Sequence, residues 1–144
     1  MDTKRFGVAT LVGGIVLFAV GYLIFNVMFA SFYAANIGSA TGVDRTSQIQ
    51  WAVGVGNLAY AALIAYVLER GAGPVSIGEG AKVGAIVGFL IWGTTDFTLY
   101  GATNIATLAR TCVDPLLEIV HGGIAGAAVA AVAYRSRAVA KAVA

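Results

Sequence analysis

Asp114, Glu118 and His121 follow one another at i, i+4 and i+7, so on a helix they share one face. A further acid, Asp96, stands in IWGTTDFTLYGATNIATL, Ile91 to Leu108, with no other charge in the stretch. An acid beside a histidine can hold a cation, relay a proton, or orient a general base. A charge near a bilayer centre costs about 2.5 to 3.5 kcal/mol on insertion scales, so an acid in such a position marks a functional site by default. Asn26, Asn57 and Tyr100 are the uncharged polar groups that fall inside the other apolar stretches or on the Asp96 face.

The elements that must position these groups are membrane helices. The chain has 144 residues, 59% of them hydrophobic and 11% charged, with a mean hydropathy of +0.85. Soluble domains run at roughly 45 to 50% apolar and about 25% charged. The spans read from the sequence are 6–30, 51–68, 82–101 and 115–134 of a single membrane domain over 1–144. Each is long enough to cross a hydrocarbon core of about 30 Å. The expected fold is an all-α integral membrane protein, a four-helix up-and-down bundle. Asp114 before Pro115 reads as the N-cap and first residue of the last span. Gly101 reads as a break after span three, and Thr103 or Asn104 as the cap of the next segment. Ala102 to Arg110 fits either a surface helix or a continuation of the span.

Seven of the nine Lys and Arg residues, Lys4, Arg5, Arg70, Lys82, Arg135, Arg137 and Lys141, fall at one end of these spans, and Arg45 and Arg110 at the other. The positive-inside rule then puts both termini in the cytoplasm. The expected location is the bacterial inner membrane, with the chain crossing it several times. Helical rise puts Asp96 about 8 Å, and His121 and Asn57 about 9 Å, below the outer surface, with Asn26 near the outer end of span one. Four spans thus bring polar groups to the outer half. The expected pocket is lined by Asn26, Asn57, Asp96, Tyr100, Glu118 and His121.

Other chemistries are excluded or weak. The net charge of +2 is spread over span ends rather than gathered on one face, which argues against nucleic acid. One cysteine and one histidine cannot make a disulfide, a zinc set or a bis-histidine haem. GEGAK at Gly78 to Lys82 lacks the residue spacing and the following Ser or Thr of a phosphate loop. No metal or cofactor is expected. Gly84 and Gly88, and Gly122 and Gly126, have the small-xxx-small spacing of close helix contacts.

TTDFT, TNIATL and VDPLLEIVHGG, with FYAANIG at Phe32 to Gly38, resemble an uncharacterised family of small bacterial membrane proteins, domain of unknown function twenty-one seventy-seven. The resemblance implies four spans and places Asp96, Thr98, Thr103, Asn104 and Asp114 on the family signature. LYGA separates Asp-Phe-Thr from Thr-Asn here, and Thr95 stands where the family has tyrosine.

The leading functional expectation is a non-enzymatic membrane protein whose outward-facing pocket binds or translocates a small polar or cationic solute, or a proton, with Asp96 as the charged determinant. A membrane-embedded enzyme acting on a lipid or isoprenoid head group, with His121 as general base, is the second. An accessory subunit of a larger membrane complex is the third. Asp96 and His121 are open to two readings: a buried pair that fixes helix register, or a site that touches ligand. Expected partners are the bilayer, the solute, and further copies of the chain or a larger complex.

Overall fold

The computed structural model describes residues 2–71 and 75–134. The regular elements among these are all helical. Helix α1, Thr3–Gly21, runs on as a π-helical segment, Tyr22–Met28, and is followed by the short α2, Ala30–Ala35. Then come α3, Gln50–Arg70, α4, Ile77–Ala102, and α5, Leu108–Val129, which ends in a π-helical turn, Ala130–Tyr134. Four helical stretches, Thr3–Met28, Gln50–Arg70, Ile77–Ala102 and Leu108–Tyr134, are long and apolar enough to cross a bilayer. Arg135, Arg137 and Lys141, and Gly73 and Pro74 of the second loop, lie outside the described residues.

Caps set the boundaries. The Asp2 side chain accepts from the Arg5 amide at 3.2 Å, which starts α1 and holds the Asp2 carboxyl below the usual carboxylate range. Ser76 accepts from the Glu79 amide at 3.1 Å and starts α4. The last helix corrects the sequence reading. Its N-cap is Thr107, which accepts from the Arg110 amide at 3.3 Å, so Pro115 lies inside α5 and Asp114 is no cap. Apolar burial holds the proline there, since Pro115 is fully buried and packs near Gly93 of α4.

The segment between α4 and α5 also departs from expectation. Helix α4 passes through Gly101 to Ala102, and Thr103 is its C-cap rather than the cap of a new helix. Residues 104–107 are non-helical, with bends at Asn104 and Ile105, and bond to 36–40 around a single antiparallel bridge between Ile37 and Ala106. Gly38 N donates to Ile105 O at 3.1 Å, Ala40 N to Asn104 O at 3.0 Å, and Thr107 N to Asn36 O at 3.2 Å. Gly38 is required at this crossing, because a Cβ there would run into the Asn104 carbonyl. Ala102 to Arg110 is therefore neither a surface helix nor a continued span. It is the end of α4, a paired strip and the start of α5.

Helices α4 and α5 approach backbone to backbone. A Cβ on Gly80, Gly84 or Gly88 would collide with the main chain of Gly126, Gly122 or Glu118 across the seam. Faces without side chains allow two helices to gain dispersion contacts along their length, the means by which helices associate in lipid. Helix α1 packs on α3, where a Cβ at Gly13 would stand 2.9 Å from Ala61 Cβ. The apolar core of the bundle is built on Leu17, Ile64, Leu68, Val129 and Tyr134. Among the described residues, the buried polar ones, Thr111, Asp114, Glu118 and His121, all come from α5.

Candidate functional site

The polar face of α5 opens into a cavity of about 270 Å³ between α1, α3 and α5. At its base is a dyad. His121 Nδ1 is 2.9 Å from Glu118 Oε2, and His121 Nε2 is 2.8 Å from the Leu17 carbonyl. Glu118 is 1% exposed and His121 4%. A carbonyl has no proton to give, so Nε2 donates to Leu17. The Nδ1 to Oε2 distance requires one more proton between those atoms. On either atom, that proton leaves the dyad with two protons and no net charge. Tyr60 completes it, donating its hydroxyl to Glu118 Oε2 at 3.3 Å.

Glycines make the space for this arrangement. A Cβ on Gly88 or Gly122 would meet the Tyr60 hydroxyl, and one on Gly21 would stand 3.1 Å from two atoms of the His121 ring. The π-helical segment begins immediately after Gly21. Such π-bulges re-aim side chains and are frequent at functional sites. Here the segment carries Tyr22, Phe25 and Asn26, all of which line the cavity.

Above the dyad, Asp114 accepts a hydrogen bond from the Tyr33 hydroxyl. The Arg110 guanidinium lies over the Tyr33 ring at 5.0 Å from its centroid. Phe25 meets both rings edge-on, its centroid 5.6 Å from that of Tyr33 and 5.6 Å from that of His121. Phe18, Tyr22 and Trp92 also line the cavity. The Trp92 indole N–H is buried with no acceptor among the described residues. Gln48, Gln50 and Asn57 line the side nearest the loop end.

Four of the residues expected in the pocket, Asn26, Asn57, Glu118 and His121, line this cavity. Asp96 and Tyr100 do not. Asp96 lines a separate space of about 50 Å³ with Leu99, Ile105, Ala106, Arg110 and Thr111. Its Oδ2 is buried with no hydrogen-bond partner among the described residues. Tyr100 is 41% exposed and lines neither space. The structure does not pair Asp96 with His121, whose ring nitrogens go to Glu118 and Leu17. Asp114 and Asp96 of the family-signature set line the two spaces, while Thr98, Thr103 and Asn104 are exposed.

Moving the start of the last span from Pro115 back to Leu108 changes the depths. His121 lies about 20 Å below the start of α5 at helical rise, near mid-span. The dyad is therefore far deeper than the boundary at Pro115 implied. Arg110, Tyr33, Tyr60 and Trp92 were not among the expected site residues. Arg110 stands one turn before Asp114, so a helix begun at Thr107 places it on the same stripe. Tyr60 follows Asn57 by three residues on the inner face of α3. Among the described residues no group of three or more His, Cys, Asp or Glu side chains is placed to hold a metal ion.

The chain matches no known protein-family model, no curated protein and no solved structure.

Proposed function

We propose that this is a four-span protein of the bacterial inner membrane, with both termini in the cytoplasm, that binds or translocates a small organic cation in the cavity. Exposed large side chains around the bundle, among them Leu11, Ile15, Leu23, Ile86, Leu90, Leu116 and Val120, support insertion, because lipid is the solvent that suits such a surface. The bias of Lys and Arg toward one end supports the orientation. The runs TTDFT, TNIATL and VDPLLEIVHGG support membership of the uncharacterised four-span family named above.

The observation that carries the functional reading is the wall of the cavity. Phe18, Tyr22, Phe25, Tyr33 and Trp92 surround a space whose buried ionisable groups are Asp114 and the Glu118–His121 dyad. Aromatic faces carry negative quadrupole density, and each held near a desolvated cation contributes roughly 0.5 to 2 kcal/mol. Carboxylates supply the monopole. The dyad is neutral as a unit, and Arg110 and Asp114, which both line the cavity, bring one charge of each sign, with the Arg110 guanidinium held over the Tyr33 ring. Asp114 is the buried carboxylate at the aromatic wall, bonded by the Tyr33 hydroxyl. Aromatic faces set beside that carboxylate favour a quaternary or protonated amine over an anion or a neutral sugar. The charged determinant is Asp114, backed by the dyad, rather than Asp96.

Calorimetric titration of the purified protein with choline and with its uncharged isostere, 3,3-dimethylbutanol, tests the reading. Saturable binding of choline, about tenfold or more tighter than the alcohol, is expected. Equal affinity for the two, or no binding of choline, would overturn it.

A further inference from the structure

A third space lies along the α1–α3 pair. It measures about 440 Å³ and is lined from α1 and α3 alone, chiefly by Leu11, Ile15, Phe18, Trp51, Val55 and Leu58. Phe18 lines both this groove and the polar cavity, and so is the wall between them. From Leu11 to Phe18 the groove follows α1 for about 10 Å. Its floor is kept open by Gly54, where an added Cβ would meet nothing within 4 Å.

On the proposed reading of the cavity as an organic-cation site, we infer that the cation is an amphiphile. Its ammonium head sits at Asp114 above the dyad, and its alkyl chain passes Phe18 into the groove between α1 and α3. Two observations carry this. The polar and apolar spaces share a single aromatic side chain as their boundary, and that side chain is 39% exposed rather than locked in the core. Charge and polarity are also segregated: carboxylates and amides line one space, and the other has only the Trp51 indole as a polar group. A ligand that fills both must be charged at one end and apolar at the other. Access from the side would let a lipid-soluble cation reach the site without crossing the polar loops.

The two tryptophans report on the two spaces separately, Trp92 in the cavity and Trp51 in the groove. The full chain in lipid nanodiscs is titrated with tetramethylammonium, with an alkyltrimethylammonium brominated along its chain, and with the equally brominated fatty alcohol. Tetramethylammonium is expected to change Trp92 emission. The brominated ammonium is expected to quench Trp51 saturably at equimolar ligand, to be displaced by excess tetramethylammonium, and to bind about tenfold tighter than the short cation. Trp51→Phe should remove that quenching. Gly54→Leu, which fills the groove from an open position, should abolish saturable tail quenching and leave the tetramethylammonium response in place. If tetramethylammonium binds while tail quenching is linear in ligand, equal to that of the alcohol or intact in Gly54→Leu, the amphiphile is overturned and the cavity reading stands. If tetramethylammonium gives no response, both fall.

Discussion

Replacing His121 with alanine removes both hydrogen bonds of the imidazole, the 2.9 Å bond to Glu118 and the 2.8 Å bond to the Leu17 carbonyl. Glu118, 1% exposed, would keep only the long 3.3 Å bond from Tyr60. Breaking a buried pair from one side costs about 3 to 5 kcal/mol, because a charge is left uncompensated. Glu118→Gln behaves differently. The glutamine amide can donate to Nδ1 while Nε2 still donates to Leu17, and because Tyr60 reaches the same Oε2 position its hydroxyl turns from donor to acceptor of the amide's second hydrogen. The expected loss is about 1 kcal/mol or less, in line with interhelical hydrogen bonds in membrane bundles, which average about 0.6 kcal/mol. Reversible unfolding of each variant in mixed micelles, followed by circular dichroism, measures the difference. A His121→Ala loss below about 1 kcal/mol, or a Glu118→Gln loss as large as that of His121→Ala, would refute the reasoning, since neither is compatible with a dyad held by two protons.

Gly84→Val should separate α4 from α5 by driving a side chain into the Gly122 backbone, and its expected loss of several kcal/mol is read by the same unfolding assay. Gly56→Ala, at an open helical position, should instead be neutral or stabilising by up to about 1 kcal/mol. Thr107→Ala removes the cap of α5 and the 2.9 Å bond to Asn36, and should lower stability by about 1 to 2 kcal/mol, with faster amide exchange in 104–111. Asp96→Asn should leave choline affinity unchanged in calorimetry, because Asp96 lines the other space. Asp114→Asn should weaken that affinity by about tenfold or more.

The stripe at 114, 118 and 121 could be read from spacing alone, because helical periodicity depends only on the chain being helical there. Four long apolar stretches gave the helices for the same reason. The start of α5 was not legible. Asp-Pro is a strong local signal for a helix start, yet Thr107 caps the helix and the apolar environment of Pro115 tolerates a missing N–H within it. That error moved His121 toward the surface and left Arg110 off the stripe. The placement of Asp96 was illegible for a different reason. Its depth in α4 follows from rise per residue, but its rotation relative to the other helices is set by the Gly80, Gly84 and Gly88 seam. That seam fixes one face of α4 against α5 and turns Asp96 to Arg110 and the 105–106 strip, away from the dyad. The aromatic wall depends on tertiary packing of the π-helical segment and α2, which no single stretch encodes.

On the proposed function, the cavity above Glu118 and His121 holds an ammonium group. Trp92 lines that cavity, and in a Trp51→Phe background it is the chain's sole tryptophan. Its emission in nanodiscs, titrated with tetramethylammonium, is the most direct measurement. A saturable change that is weakened by Asp114→Asn is the predicted result. Emission that does not respond to the cation, or that responds equally in the Asp114→Asn variant, would contradict it.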